Sequence, residues 1–275
     1  MRLIFLLFIA FNCYAEPMKI LTLNAWTMPV VGQKISERAK IIGHNLDGYD
    51  LVGMQEVWLP WHRDIIQKYA PENFKIVFKP VFKVGLGSGL LNFSSFKVIK
   101  KDFVKFQSCL GIDCMAAKGI LFTRIELASG KVIDIFNTHL QAGGKHSEAR
   151  KGQLSQIASF IKSYDQGNPT ILMGDFNIKA KSPEYEILQK TMLGFKDLWD
   201  TFHPDLDGHT ADGVRNPWIN SNNQSRIDYI FIKDGKELNW KVNDVKLAFD
   251  YPMSYKGEES LMPSDHFGIE ADLDI

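Results

Sequence analysis

Two stretches of similar design, VIDIFNTH (132–139) and TILMGDFN (170–177), decide the fold class. Each begins with a short apolar, β-branched run that is typical of a buried strand and ends in a cluster of polar side chains. Four apolar residues between them are spaced i, i+3, i+4 and i+7, which marks one face of a helix: Leu154, Ile157, Ala158 and Ile161. We therefore predict strands that pack against helices and carry polar groups at their ends.

Apolar runs of the same kind recur along the chain and outnumber the clear helices. The predicted strands cover residues 20–23, 51–54, 74–78, 119–127, 132–136, 170–173 and 227–232. A second helix is predicted over 183–193, with Ser182 as N-cap and Pro183 in the first turn. The strands on either side of Ala128-Ser129-Gly130 indicate an antiparallel hairpin. The pattern predicts an α+β protein whose mixed sheets are covered by helices.

The composition is that of a globular protein and excludes collagen-like and disordered classes. The chain has 275 residues, of which 45% are hydrophobic and 23% charged, with 32 basic and 32 acidic side chains. Because a protein held on a nucleic-acid backbone needs excess positive charge, we expect no stable nucleic-acid binding. Neither repeats nor a Pro/Gly-rich linker divide residues 16–275, so we expect a single domain, acting as a monomer.

Residues 1–15 have the pattern of a secretory signal peptide. Arg2 precedes an apolar run over 3–11, and Cys13-Tyr14-Ala15 supplies the small residues of a cleavage site. The run is about half as long as a membrane-spanning helix requires. A buried first strand is the alternative. The signal-peptide interpretation predicts a secreted or periplasmic protein.

Export would leave two cysteines, Cys109 and Cys114, in a compartment where disulfides persist. A bridge across so short a loop would contribute only about 2 kcal/mol, so it would hold a loop rather than the fold. Two free thiols are the alternative.

Polar clusters lie at the ends of six predicted strands. Four clusters follow apolar runs, whereas the clusters at 226–228 and 264–266 precede theirs, which are the runs 227–232 and 267–273. If the last two strands run opposite to the other four, all six clusters meet at one sheet edge. The gathered residues are Asn24, Glu56, Asn137, His139, Asp175, Asn177, Asp228, Asp265 and His266.

Carboxylates and amides with two histidines suit a hard cation such as magnesium better than zinc. Each motif alone has a simpler interpretation, since an Asp-His or Gly-Asp pair is common in caps and turns. His139 alone is compatible with a core histidine, and Glu56 alone with a solvated charge at a strand end. The ordered combination is what favours a metal-dependent site.

The order of seven motifs resembles the endonuclease/exonuclease/phosphatase superfamily across the mature chain: LTLNAW, MQEVW, GLGSGLL, FNTHLQA, MGDFN, SRIDYIF and SDHFGI. Within it, FNTHLQA followed by Arg150 and Gln153, with KGILFTRI upstream, is most similar to the magnesium-dependent neutral sphingomyelinases. Asp113 and Lys118 match an Asp-four-residues-Lys element of that family. The resemblance implies a four-layered α/β/β/α sandwich and metal-dependent hydrolysis of phosphodiesters.

The resemblance also implies the metal site and the base. Glu56 would be the main carboxylate ligand of Mg²⁺, or of Mn²⁺ or Co²⁺ in its place, with Asn24 and Asp265 beside the ion. His266 would take a proton from the attacking water, and Asp228 would orient its ring.

The remaining site residues would contact the water or the substrate. Asp175 would position the water, Asn177 would donate to phosphate oxygens, His139 would stabilise or protonate the leaving alkoxide, and Lys118 would meet the phosphate. Asn137 and Arg150 are predicted to bind substrate together with Asn24. A solvated helix face is the alternative for Arg150 and Gln153.

Three tryptophans, Trp58, Trp61 and Trp218, are predicted to line a headgroup site or a rim facing the membrane, with a buried core position as the alternative. His146 and His203 are expected at the surface. Secreted relatives that attack membranes carry an exposed aromatic hairpin before the last Asp-His motif. Here residues 251–263 combine aromatic residues with Lys256, Glu258 and Glu259, which argues against strong membrane insertion.

We therefore predict a secreted phosphodiesterase that cleaves sphingomyelin, a lipid at a membrane surface, to ceramide and phosphocholine by in-line attack of water. A nuclease or another phosphoesterase of the same superfamily is the alternative within enzymes. A non-catalytic binding module on this fold is a third reading, but it would be marked by loss of a metal or base residue. Glu56, Asp175, Asp228 and His266 are all present.

Overall fold

The structure is a computed structural model that describes residues 15–80 and 86–275. The predicted signal peptide, apart from Ala15, lies outside the described residues. Within those residues, every helix is too short or too polar to cross a bilayer.

The described chain contains fourteen strands and five α-helices. The strands are β1 Pro17–Asn24, β2 Leu51–Gln55, β3 Lys75–Val77, β4 Leu91–Ser94, β5 Lys97–Lys105, β6 Gly119–Glu126, β7 Val132–His139, β8 Thr170–Asp175, β9 Lys196–Asp197, β10 Ala211–Asp212, β11 Gln224–Ser225, β12 Asp228–Lys233, β13 Lys241–Ala248 and β14 Gly268–Asp274. The helices are α1 Ile35–His44, α2 Pro60–Tyr69, α3 Ser147–Tyr164, α4 Pro183–Thr191 and α5 Leu198–Phe202, with a 3-10 helix at Gly111–Met115.

Two six-stranded sheets and one short ribbon, β10–β11, contain all of these strands. The first sheet has the order β13-β14-β1-β2-β4-β3, and the second has the order β5-β6-β7-β8-β12-β9. In each sheet one central pair is parallel, β1 with β2 and β7 with β8, and the other neighbours are antiparallel. Both sheets are therefore mixed, as predicted.

Three hydrophobic clusters join four layers. One cluster lies between the two sheets and includes Ile20, Ile135 and Met173. A second packs the second sheet against α3 and α4, and a third packs the first sheet against α1 and α2. The predicted four-layered α/β/β/α sandwich is confirmed. Because both sheets are covered on both faces, their central strands are almost entirely buried.

Two long strands, β5 and β13, were not predicted because their sequences carry only a weak strand signal. β5 and β13 are edge strands whose solvent-facing lysines interrupt the apolar run. By contrast, the predicted N-cap of α4 is present, because the Ser182 hydroxyl accepts a hydrogen bond from the backbone N–H of Tyr185 at 3.2 Å.

A disulfide joins Cys109 and Cys114, so of the two possibilities left open by the sequence the bridge is the one present.

Candidate active site

The six polar clusters lie along one edge of the sandwich, which we call the acidic edge. It consists of the carboxyl ends of β1, β2, β7 and β8 and the amino ends of β12 and β14. The strand pairing explains why: β12 is antiparallel to β8, and β14 is antiparallel to β1. The last two clusters precede their strands and so reach the same edge as the four that follow theirs.

Three predicted site residues form one row across the second sheet. His139 pairs with Asp175 in the parallel β7–β8 ladder, and Asp175 pairs with Asp228 in the antiparallel β8–β12 ladder. Gly174 allows the strands to approach closely, because a Cβ at this position would lie 2.0 Å from the carbonyl oxygen of Thr138. The ladder thus fixes the spacing of an imidazole and two carboxylates.

His266 reaches this row from the first sheet. Its Nδ1 lies 2.9 Å from Oδ2 of Asp228, and the ring is largely buried. With Nδ1–H donating to that carboxylate, Nε2 is the ring nitrogen left to accept a proton. Burial opposes protonation, but the carboxylates of Asp228, Asp265 and Asp175 together raise the pKa of His266 well above its usual value.

The carboxylates of the acidic edge carry negative charge without enough positive charge nearby. Burial, and the neighbouring Asp228, raise the pKa of Asp175 to about 7. Burial, and nearby Glu56, raise the pKa of Asp265 to about 6. Asp228 Oδ1 is buried and has no hydrogen-bond partner among the described residues. A divalent cation fits such a donor set, because its charge would stabilise the ionised carboxylates.

Two sets of side chains are placed to hold such a cation. Atoms of Asp175, Asp228 and His266 suited to ligate a metal lie within 4.8 Å of one another. The ligands predicted from sequence, Glu56, Asn24 and Asp265, border the same space. Oε1 of Glu56 is 4.0 Å from Nε2 of His139, and Nδ2 of Asn24 donates to Oδ2 of Asp175 at 3.0 Å.

His139 and Lys118 form a second functional pair. Nζ of Lys118 lies 3.0 Å from Nε2 of His139 and 2.8 Å from Oδ2 of Asp113. Burial, together with Lys118 and His266, lowers the pKa of His139 well below its usual value, so its ring is neutral at neutral pH. The pair therefore offers a hydrogen-bonding imidazole and one buried positive charge.

Two of the predicted site residues have a strained backbone. Glu56 follows β2 directly and Asn177 lies two residues after the end of β8; they adopt φ values of 59° and 52°, in the left-handed region. Thr27 holds the first of these turns, since its hydroxyl donates to the carbonyl oxygen of Glu56 at 2.7 Å. The backbone N–H of Asn177 donates to Oδ1 of Asp175 at 2.8 Å. Such strain is typical of functional positions.

Asn137 does not reach the acidic edge, which corrects its predicted role in substrate binding. Its side chain is fully buried between the sheets, where Nδ2 donates to the carbonyl oxygen of Met54 at 3.0 Å and to Oδ1 of Asn92 at 2.9 Å. Strand geometry explains the error. Residues two apart share a face, so Asn137 lies on the His139 side of β7 but one step deeper in the sheet.

Arg150, which is predicted to bind substrate, is held by contacts within the protein. Its guanidinium is buried and pairs with both carboxylate oxygens of Glu184 at 2.7 and 2.8 Å. It also donates to the carbonyl oxygens of Gln141 and Gly143. Gln153, on the same helix face, receives the backbone N–H of Gln141 at 2.9 Å. Neither residue lies on a solvated face.

The three tryptophans differ in environment. Trp58 is buried, Trp218 is half-buried and donates to the carbonyl oxygen of Met262 at 2.9 Å, and Trp61 is exposed. His146 and His203 are half-buried rather than at the surface, each with a ring nitrogen against a backbone carbonyl oxygen.

Three residues that support the site were not among the predicted site residues. Arg38 is fully buried and donates to four backbone carbonyl oxygens on loops at the acidic edge: those of Ala25, Trp26, Gln33 and Pro263. The Ser264 hydroxyl donates to the Asn24 carbonyl oxygen at 2.5 Å. The Thr210 hydroxyl accepts the backbone N–H of Asp228. Only Ser264, beside Asp-His, had a sequence signal.

Comparison with known proteins gives one family match. Residues 11–266 match the Endonuclease/Exonuclease/phosphatase family. The match takes in every strand and helix of the described chain except β14.

Two curated proteins illustrate the relatives. The chain is 29% identical over 304 residues to "Inositol phosphosphingolipids phospholipase C" of Schizosaccharomyces pombe, covering 95% of this chain and 69% of that protein. It is 29% identical over 276 residues to "Putative neutral sphingomyelinase" of Drosophila melanogaster, covering 94% of this chain and 61% of that protein. The chain thus spans less than two thirds of the Drosophila protein.

Solved structures share the fold at low identity. TDP2 of D. rerio, complexed with a single-strand DNA product, superposes with a TM-score of 0.79 at 18% identity, covering 94% of this chain and all of the other. A variant of beta toxin from Staphylococcus aureus with bound magnesium ions gives a TM-score of 0.71 at 19% identity, covering 93% and 99%. These likenesses support the fold.

Proposed function

Because the chain belongs to the Endonuclease/Exonuclease/phosphatase family, we propose that it is a metal-dependent phosphoric diester hydrolase that cleaves sphingomyelin to ceramide and phosphocholine. The observation that carries the proposal is the His266–Asp228 pair, at 2.9 Å, beside an acidic edge whose carboxylates are buried and undercompensated. A base and a cation site in one place are what hydrolysis of an unreactive diester requires.

His266 is proposed to act as general base. Asp228 holds Nδ1–H, so Nε2 accepts a proton from the water whose oxygen attacks phosphorus. The carboxylates that raise the pKa of His266 keep it protonated, and neutralising them lowers that pKa again and frees Nε2. Asp175 helps to position the water. As the water oxygen bonds to phosphorus, the bond from phosphorus to the ceramide oxygen breaks, and that oxygen takes up a proton from the Lys118–His139 pair.

The leaving oxygen is proposed to be stabilised by His139 and Lys118. The ammonium 3.0 Å from Nε2 of His139 supplies a buried positive charge, and the neutral imidazole supplies a hydrogen bond. Asn177, held in its left-handed turn, is placed to donate to a phosphate oxygen.

Glu56, Asp265 and Asn24 are proposed to hold magnesium, for which manganese or cobalt can substitute. When bound, the cation supplies Lewis-acid polarisation of the phosphoryl group and charge stabilisation. Support comes from the raised pKa values of Asp265 and Asp175 and from the magnesium ions in the beta toxin structure.

Sphingomyelin is proposed as substrate because curated relatives are named for phosphosphingolipid hydrolysis. A nucleic-acid substrate is the second candidate, since the TDP2 structure contains a DNA product. The equal numbers of basic and acidic side chains favour the lipid. We further propose that residues 16–275 act as one secreted or periplasmic domain, as a monomer.

The test is a substrate panel. Purified protein is incubated with sphingomyelin, phosphatidylcholine, lysophosphatidylcholine and plasmid DNA, each with magnesium or with chelator. We expect magnesium-dependent release of phosphocholine from sphingomyelin and intact plasmid. Nicked plasmid without phosphocholine release would assign the nuclease instead, and release undiminished by chelator would refute the metal role.

A further inference from the structure

Residues 106–117, which lie between β5 and Lys118 at the start of β6, leave the sandwich at the acidic edge. The position of this segment follows from the pairing of β6 with β7, which sets Ile120 opposite Thr138, next to His139. Asp113 in this segment accepts a hydrogen bond from Lys118, the residue that contacts His139. The segment, which we call the disulfide loop, therefore borders the proposed active site.

The tip of the disulfide loop is apolar and exposed. Ile112 is 82% exposed, Met115 65% and Leu110 46%. Asp113 is the only charged residue between 106 and 117, and its carboxylate is bound by Lys118 and by the backbone N–H of Ala142 at 2.8 Å. The solvent thus meets a surface with apolar side chains and no free charge.

This exposure is built into the loop. The disulfide between Cys109 and Cys114 encloses most of the 3-10 helix. Leu110 exchanges two hydrogen bonds with the Gln141 side chain, its N–H donating at 2.8 Å and its carbonyl oxygen accepting at 3.1 Å. Gln153 donates to the carbonyl oxygen of Ser108 at 2.8 Å. A loop held this way loses little conformational entropy on binding.

Two other loops leave the same edge with exposed apolar residues. Val30 and Val31 lie on the loop after β1, and Trp61, which is 57% exposed, lies in the first turn of α2, after β2. By contrast, the segment 251–263 near the last strand is charged, and Glu258 and Glu259 pair with Lys40 and Lys34 of the α1 region.

We propose that the disulfide loop docks the enzyme on a zwitterionic phospholipid bilayer, inserting Ile112 and Met115 between headgroups. The inference rests on the proposed function, because a substrate that resides in a bilayer must reach the acidic edge from the membrane. The absence of free charge on the tip suits a bilayer without net charge, and burial of apolar side chains supplies the binding free energy.

The test uses Ile112→Asp and Met115→Asp, singly and together. The control is Leu193→Asp, because Leu193 is 87% exposed but lies at the opposite end of the second sheet, near Lys233. Binding is measured by co-sedimentation with vesicles of phosphatidylcholine and sphingomyelin in the presence of chelator. Hydrolysis with magnesium is measured on the same vesicles and on short-chain, water-soluble sphingomyelin.

We expect the double variant to bind vesicles at least about tenfold more weakly and to lose vesicle hydrolysis in proportion, since two apolar side chains no longer insert. Its turnover of soluble substrate, its thermal midpoint and its elution volume should match those of wild type, and the control should behave as wild type throughout. Ile112→Trp, which inserts a larger side chain, should bind more tightly and show blue-shifted fluorescence on vesicles.

The proposal would be overturned if the double variant bound vesicles as wild type does, or if wild type did not co-sediment with vesicles. A changed oligomeric state without a change in vesicle binding would do the same, by assigning the tip to contacts between chains. If no sphingomyelin is cleaved in either form, the proposed function fails, while the co-sedimentation result still decides the docking proposal separately.

Discussion

Buried carboxylates at the acidic edge and in the body of the sandwich have different partners. In the body, buried Asp134 pairs with Arg124 and buried Asp197 with Arg226, both at 2.6 Å. Buried Glu270 pairs with Lys19 and Lys246 at 3.1 Å, and half-buried Glu184 pairs with Arg150 at 2.7 Å. At the acidic edge, buried Arg38 interacts electrostatically with Asp265 and Glu56, but its N–H groups donate to backbone carbonyl oxygens.

This difference in partners shows that the same fold uses some buried carboxylates for stability and others for chemistry. In the body, a cationic side chain of the protein neutralises the charge of each of these carboxylates. At the acidic edge, burial raises the pKa values of Asp175 and Asp265, so the folded protein holds negative charge at a cost in stability. Such a cost is expected where a bound cation is part of the working state.

The largest effect should come from His266→Ala. Loss of the base should lower kcat by about a hundredfold to ten-thousandfold, because no other described group is paired with Asp228 for proton transfer. The thermal midpoint should fall, because buried Asp228 loses its ionic partner, so turnover is compared at a temperature at which both proteins are folded. His44→Ala, at an exposed position in α1, is the control and should retain full turnover. Wild-type turnover in His266→Ala would remove it from the mechanism.

Breaking a body pair should instead cost stability. Arg226→Met leaves Asp197 buried without its ionic partner and should lower the free energy of unfolding by about 3–5 kcal/mol in urea denaturation. The magnesium concentration for half-maximal activity should be unchanged below the transition. Lys40→Met removes an exposed pair with Glu258 and should cost at most about 1 kcal/mol. A shifted magnesium requirement in Arg226→Met would contradict the separation between ion pairs that stabilise the fold and the acidic edge that binds the cation.

Removing one proposed ligand should change metal affinity. Glu56→Gln should raise the magnesium concentration for half-maximal activity by about tenfold to a hundredfold, because an amide binds magnesium less strongly than a carboxylate. Activity should return toward wild type at saturating magnesium. Glu148→Gln, on the exposed start of α3, is the matched control. An unchanged metal titration would exclude Glu56 from the ligands.

The smallest effect concerns pH in the presence of chelator. The pKa of Asp175 is raised to about 7 in the folded state, so its contribution to stability is present at low pH and is lost as pH rises toward 7. His62 and His139 have lowered pKa values, so their contributions to stability increase as pH rises. The effect of Asp175 is therefore measured as the difference between wild type and a variant that lacks its carboxylate. Wild type should therefore lose stability relative to Asp175→Asn as pH rises from about 4 to about 7.

Urea denaturation of both proteins across this range measures the difference. Saturating magnesium should reduce the loss, since the ionised carboxylate is then stabilised. A difference that stays constant with pH in chelator would show that Asp175 is ionised at little cost, and would weaken the contrast between the two regions.

Much of the fold was predictable because central strands carry strong local signals. The runs at 20–23, 119–127 and 170–173 are buried on both faces, and each is a strand in the structure. β5 and β13 were missed because edge strands keep polar side chains in water. The helices α1 and α2 begin without a side-chain cap, so the start signal is missing in α1 and is limited to Pro60 in α2.

The residue types of the site were predictable from the sequence, but how far inside the sheet each side chain lies was not. Strand ends identified His139, Asp175 and Asp228, yet the same rule included Asn137, which lies one step inside the sheet. Arg150 illustrates a second limit. Its partner Glu184 is 34 residues away on another helix, and only the packing of α3 against α4 brings them together.

Binding of magnesium to the purified protein, measured by isothermal titration calorimetry, tests most directly whether the acidic edge is built for a cation. We expect saturable binding of magnesium to wild type, weaker binding to Glu56→Gln and unchanged binding to Arg226→Met. Wild type that takes up no magnesium at concentrations supporting catalysis, or Glu56→Gln that binds as wild type does, would contradict it.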